Sequence, residues 1–125
     1  MIVYIKGEKD ILSNFYPCKL MYNGEIFNSA EHLYQSWKCL FHNNLKIDQE
    51  IRVARDGKTA KIISKKIIVS KEWDDIRPLV MAEILKLKFL QCEKFRKTLM
   101  NSSGYLSHNV HSWGISVIYW GISVN

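Results

Sequence analysis

The chain has 125 residues, 47% hydrophobic and 24% charged, with 18 basic against 12 acidic side chains and a formal charge of +6. A chain of this length buries roughly 60% of its unfolded surface, enough for one core but not two, and its composition excludes disordered, collagenous and disulfide-stapled classes. Apolar runs stay short of the ~18 residues a membrane helix needs, and no basic-then-apolar leader or repeat is present, so a soluble, cytoplasmic protein without a membrane partner is expected.

Three cysteines, Cys18, Cys39 and Cys92, are odd in number, far apart and set in apolar contexts, so they read as reduced core residues. No CxxC pair occurs and the only close histidines are His108 and His111, which argues against a metal. The positive charge favours an anionic partner, a phosphate-bearing ligand or nucleic acid. Lys58, Lys61, Lys65 and Lys66, followed by Lys71, form the densest basic cluster, which reads equally well as a solvated helix face.

In chain order, residues 1–6 (MIVYIK) alternate well enough for a strand closed by Gly7. Residues 11–17 read as a loop, because Ser13, Asn14 and Pro17 favour turns. Residues 18–22 resume as a strand, Asn23-Gly24 is a two-residue hairpin signal, and residues 25–27 return.

The hairpin delivers the chain to NSAEHLYQSWKCLF, residues 28–41, whose pattern predicts one amphipathic helix. At 100° per residue Ala30, Leu33, Tyr34, Trp37, Leu40 and Phe41 make a core-facing stripe. Glu31, Gln35 and Lys38, spaced i, i+4, i+7, share a narrow arc beside it. A carboxylate, an amide and an amine at the edge of the core suit a cleft wall. Asn28 as N-cap with Glu31 at N3 is an equally good reading of the glutamate as a capping residue.

After a break at HNNLK, residues 48–54 suit a short helix, Asp56-Gly57 a turn, and residues 58–64 another helix with Ala60, Ile63 and Ile67 inward. IIVS at residues 67–70 also suits a strand. Trp73 opens the longest helix, with Ser70 or Asp74 near its start and Pro78 tolerable only in the first turn. Leu79, Val80, Ile84, Leu87, Lys88 and Gln91 mix core and edge positions along it. Helix continues over residues 90–100 after a bend, NSSG at residues 101–104 stops it, and the β-branched, aromatic tail returns as strands beside the hairpin. The fold class expected is α+β, a mainly helical single domain over residues 1–125 with a small, mostly antiparallel sheet.

One stretch carries a resemblance. LSNFYPCKLMYNGEIFNSAEHLYQSWK, residues 12–38, resembles the opening signature of the NADAR superfamily, the YbiA-like N-glycosidases, which runs SNFYP, an extended segment with glycine, then SxEHxxQxxK. Ile51, Ala54, Ala60 and Lys61 resemble that family's next helices, and KEWDDIRPLVMAEILKLKFLQ its DW…R…M…KF.Q block. The likeness extends from about Leu12 to Gly114.

The resemblance implies cleavage of an N-glycosidic bond in which ribose C1′ carries an exocyclic amine, either in ADP-ribose attached to guanine or in early riboflavin-pathway intermediates. It implies that Lys38 is the nucleophile and Glu31 the proton shuttle. Gln35 orients sugar hydroxyls, and Asn14, Phe15, Tyr16, Trp73, Lys88, Trp113 and Gly114 match positions of the substrate pocket. Phe15, Tyr16, Trp73 and Trp113 also suit simple core packing, and Asn14 an Asx turn. No cofactor or metal is implied. The tail YLSHNVHSWG departs from the family pattern, because Ser107, His108, His111 and Ser112 stand where two acidic residues are usual. The expected partners are therefore ADP-ribosylated guanine in nucleic acid or a phosphorylated ribosylamine metabolite, with a non-catalytic nucleotide-binding or inhibitory protein as the reading from another class.

Overall fold

Two residues in left-handed conformation create the hairpin. In the computed structural model, which describes residues 10–101, Asn23 at φ 52° and Gly24 at φ 76° join β1 (Pro17–Tyr22) to β2 (Glu25–Ser29). Both residue types tolerate positive φ, which a tight antiparallel turn requires. The strands pair antiparallel with Leu20 opposite Phe27 and Tyr22 opposite Glu25, and the register slips between Pro17 and Leu20, leaving a bulge at Cys18 and Lys19. Leu20 and Phe27 point into the core.

Strand β2 runs directly into α1 (Ala30–Phe41). The cap is Ser29 and not Asn28: alternation along β2 leaves Asn28 outside and turns Ser29 inward, where its hydroxyl accepts the His32 N–H at 3.1 Å. This one-residue shift moves Glu31 out of the capping-box position. Its side chain is therefore not spent on the helix end.

Three capped helices follow. Asn44, Asp56 and Ser70 accept from Ile47, Thr59 and Trp73 at the starts of α2 (Leu45–Arg52), α3 (Gly57–Ser64) and α4 (Lys71–Gln91). Helix α2 begins earlier than its apolar pattern suggests, because Asn44 is a better cap than anything nearer Asp48. Residues 67–70 form no strand. They have no partner strand among the described residues, and Ile68 is exposed while Ile67 packs on the second core cluster.

Pro78 lies well inside α4, contrary to the expectation that it fits only the first turn. It deprives the Asp74 carbonyl of a donor, but the burial of Trp73 before it and of Val80, Met81, Ile84 and Leu85 after it keeps the chain helical. Leu79 faces solvent. At Cys92 the backbone leaves helical geometry (φ −108°, ψ 98°) and α5 (Glu93–Met100) starts, ending at Asn101. The expected strand at residues 1–6 and the tail strands lie outside the described residues.

Helix α1 is the axis of the molecule, packed by the hairpin, α2, α3 and α4. Its first two turns are buried almost all round, from Ala30 to Ser36, so the stripe predicted for them is only part of a fully enclosed segment. At its far end the stripe fails: Leu40 is 44% and Phe41 39% exposed. The main core joins Leu20, Phe27, Leu33, Trp73, Ile84 and Phe95, while Cys39, Ile47, Ile51 and Ala60 form a second cluster under α2 and α3.

Two polar ties fix α1 against its neighbours. His32 is buried, with Nε2 donating to the Ala54 carbonyl at 3.0 Å and Nδ1 2.7 Å from Ser29 Oγ. Ser36 donates to Asp48, which also holds Arg52 at 2.8 Å. Together they seat α2 and the connection that leads into α3 on the first two turns of α1. A methyl group at Gly57 would fall 3.1 Å from Glu31 Cβ and Ser29 Oγ and 3.2 Å from Phe15 Cδ1. Gly57→Ala should therefore cost about 1–3 kcal/mol, read as a lower urea midpoint at unchanged m-value, because none of the three neighbours is the free end of a flexible side chain.

Candidate active site

The loop that precedes β1 is held from beneath. Lys88, fully buried on α4, donates to the Ile11 carbonyl at 2.9 Å and the Ser13 carbonyl at 2.8 Å, with its ammonium 4.5 Å from the centre of the Phe95 ring. Burial lowers its pKa to about 8. Both of these hydrogen bonds go to the loop backbone, so Lys88 supports the loop from below. Asn14 is buried as well: its carbonyl accepts the Glu31 N–H at 3.0 Å, and its amide reaches Met81 Sδ at 3.5 Å. The loop thus fastens itself to the first turn of α1. Phe15 and Tyr16 are half-buried, under the amines of Lys61 (5.7 Å) and Lys94 (5.3 Å), with Tyr16 also accepting from Lys94 at 2.9 Å.

Glu31 stands at the centre of this arrangement with 0% exposure. Gln35 Nε2 donates to its Oε2 at 2.6 Å, as i, i+4 spacing allows. Glu31 Oε1 and Gln35 Oε1 are both buried without a hydrogen-bond partner among the described residues. An unpaired buried acceptor costs about 1–3 kcal/mol, and a charged one more. Burial accordingly raises the Glu31 pKa to about 7, against the opposing pull of the Gln35 hydrogen bond and of the Lys61 and Lys38 charges. The carboxyl group is poised to exchange a proton near neutrality.

Lys38 completes the arc. It is half-buried, and no hydrogen bond to its amine is present among the described residues. Burial lowers its pKa; Cys39, Glu31 and Asp74 oppose the shift and Arg77 adds to it. Tyr34, one turn back, has its pKa raised by burial, against the opposing pull of Arg77 and Trp73. Trp73 itself is a core residue, with its ring 5.7 Å from Tyr34, 5.5 Å from Phe41 and 6.1 Å from His42. It therefore reaches the Lys38 end of α1 through Tyr34. Trp113 and Gly114 lie outside the described residues, as do Ser107, His108, His111 and Ser112.

Clefts on the described surface include the following pair. One, of about 360 Å³, is lined by Phe15, Cys18, His32, Arg55 and Asp56, and by Gly57, which also packs on Glu31. The other, of about 250 Å³, lies across α1, where Tyr22 stacks on Trp37 at 5.0 Å beside Arg52. Glu31, Gln35 and Lys38 line neither, and of the sequence-predicted binding residues only Phe15 does. Among the described residues no three His, Cys, Asp or Glu side chains are grouped to hold a metal, and no helix is long and apolar enough to cross a membrane.

Comparison with known proteins places this geometry. A family model described as the NADAR domain matches residues 4–117. The chain belongs to the NADAR family. Its fold is similar to the NMR structure of the E. coli protein YbiA, with a TM-score of 0.66 and 23% identity over 82% of this chain and 61% of that one. A riboflavin biosynthesis protein of Vibrio vulnificus is 34% identical over 82 residues, which are 64% of this chain and 22% of that relative's length. This chain therefore spans about a fifth of that protein.

Within this NADAR chain the α1 motif divides its labour. Ser29 and His32 pin the helix, while the side chains of Glu31 and Gln35 bond each other and the Lys38 amine makes no hydrogen bond among the described residues. Sequence reasoning singled out the second group and passed over His32, Tyr34, Gly57 and Arg77. The signal for His32 was its place three residues after the cap, where a side chain can bond back.

The raised pKa of Glu31 makes a thermodynamic prediction. The folded protein keeps a proton on Glu31 that the unfolded chain releases at about 4.5, so this group's contribution to stability is present below that value and is lost as pH rises through about 7. Glu31→Gln removes the slope. Urea titrations should show the variant more stable than the native protein at pH 8 by up to roughly 3 kcal/mol, with the difference falling below about 1 kcal/mol at pH 5.

Proposed function

We propose that this chain is an N-glycosidase hydrolysing a ribose C1′–N bond, with ADP-ribose carried on the amino group of guanine, in DNA or in a nucleotide, as its substrate. The observation that carries the proposal is the pairing of a buried, proton-exchanging Glu31 with a half-buried amine at Lys38 on one arc of a rigid helix. The two unpaired oxygens, Glu31 Oε1 and Gln35 Oε1, suit a ligand that brings hydrogen-bond donors, as a sugar with free hydroxyls does. The positive charge of +6 favours a phosphate-bearing substrate.

The chemistry follows from what a glycosylamine can do. Protonated Glu31 delivers its proton to the ribose ring oxygen, the C1′–O bond opens, and an imine forms between C1′ and the base nitrogen. Neutral Lys38 adds to C1′ and expels the base as a free amine, leaving C1′ bound to Lys38 as a Schiff base. Glu31, now a carboxylate, takes a proton from the water that adds to C1′; loss of Lys38 then releases the sugar. The sum is one water consumed, one C–N bond broken, and base amine and sugar hydroxyl formed.

A second reading has its own support. The relative from Vibrio vulnificus is named for riboflavin biosynthesis, and a phosphorylated ribosylaminopyrimidine carries the same exocyclic amine on C1′. Incubation of the full chain with ADP-ribosylated guanine DNA and, separately, with ribosylaminouracil phosphate distinguishes them by mass spectrometry. Release of ADP-ribose is expected. Release of ribose phosphate alone favours the second reading, and release from neither leaves a binding protein.

Lys38→Ala should lower kcat by about 10³-fold or more with little change in KM, since an amine acting after binding contributes to the chemical step. Stability should shift by no more than about half a kcal/mol, alanine being the better helix former. Lys38→Arg should stay as inactive, because guanidinium does not deprotonate. Borohydride should trap the sugar on the native protein and on neither variant; near-native turnover of Lys38→Arg would reduce Lys38 to an electrostatic contact.

A further inference from the structure

Away from Glu31, the structure brings two of the three cysteines together. Cys18 lies in the bulge of β1 and Cys92 in the non-helical joint between α4 and α5. They are 74 positions apart in sequence (92 − 18), yet cross-links flank them on both sides. On one side Lys94 donates to the Tyr16 hydroxyl at 2.9 Å. On the other, the Gln91 amide clamps Met21, accepting from its N–H at 2.7 Å and donating to its carbonyl at 2.8 Å. The two thiols lie between these ties, near enough to act on each other electrostatically, and both are partly exposed.

We infer that Cys18 and Cys92 form a reversible disulfide, a redox latch that joins the hairpin to the α4–α5 corner. Both residues sit where the backbone is already irregular. A bulge leaves its extra residue outside the ladder, and Cys92, although its N–H donates to the Lys88 carbonyl at 2.8 Å and its carbonyl accepts from Arg96 at 3.0 Å, has extended backbone angles between two helices, so neither thiol is held in a regular helix or ladder direction. Cys39, buried in the second core cluster, has no part in it.

The oxidant is a small disulfide of the glutathione class. One thiolate attacks it, forming a mixed disulfide and releasing one small thiol; the second protein thiolate displaces the other small thiol. Two protein thiols are oxidised by two electrons and the small disulfide is reduced to two thiols. The neighbouring Lys88 ammonium favours the thiolate, but burial outweighs it and pushes the Cys18 thiol up to about 11. Oxidation is therefore slow at neutral pH and accelerates as pH rises.

The latch bears on the site through the loop. Lys88, beside both thiols, holds the carbonyls of Ile11 and Ser13, and the next residue, Asn14, accepts the Glu31 N–H. Closing the bond shortens the thermal excursions of the loop that seats Glu31.

The test is oxidation of the full chain with oxidised glutathione, alkylation of free thiols and non-reducing peptide mapping. The expected result is one intramolecular Cys18–Cys92 linkage, lighter by two hydrogen atoms, with Cys39 alkylated. The oxidised form should melt roughly 5–10 °C higher, reversibly with dithiothreitol. Cys18→Ser and Cys92→Ser should each abolish linkage and shift, whereas Cys39→Ser keeps both. Alkylation at all three positions, a linkage through Cys39, or a melting shift that persists in Cys18→Ser overturns the inference.

Discussion

The constraint on which the rest of the structure depends is the burial of the Glu31 carboxyl group with one oxygen unpaired. No globular protein gains stability from such a group. The surroundings are correspondingly heavy with ties. Asn14 takes the Glu31 N–H, Ser29 and His32 lock the helix start, Gly57 lets α3 close over the side chain, and Lys88 holds the loop from below. Each of these is an ordinary interaction. Together they keep in place a carboxyl group whose pKa is pushed to about 7.

The cost and the chemistry have one cause. Desolvation that destabilises the carboxylate is also what makes Glu31 an acid at neutral pH, and the milder burial of Lys38 moves its amine toward the neutral form a nucleophile needs. Because the two charges attract, ionising either raises the tendency of the other to stay charged. Gln35 moderates this by bonding one carboxylate oxygen while leaving its own carbonyl free.

Much of this was legible in local sequence. Asn23-Gly24 set the hairpin, and the i, i+4, i+7 spacing of Glu31, Gln35 and Lys38 put them on one side of α1, because these are short-range consequences of backbone geometry. The cap was misplaced by one residue. Asn28 and Ser29 are both good caps, and the choice is made by strand alternation, which turns only Ser29 inward. Pro78 was misjudged because packing of the residues on either side outweighs a local propensity. The hold of Lys88 on the loop is with residues 75 and 77 positions earlier, which no local pattern encodes. Leu40 and Phe41 continue the apolar period past the point where neighbouring elements cover the helix.

The central claim is that burial alone holds Glu31 protonated near neutrality, and the direct measurement is its titration. Carbon-13 NMR of the glutamate side-chain carboxyls, with Glu31 assigned by its absence from Glu31→Gln, follows that one group through pH. A midpoint at about 7 is the predicted result, and a midpoint at the ordinary 4.5 would contradict the account.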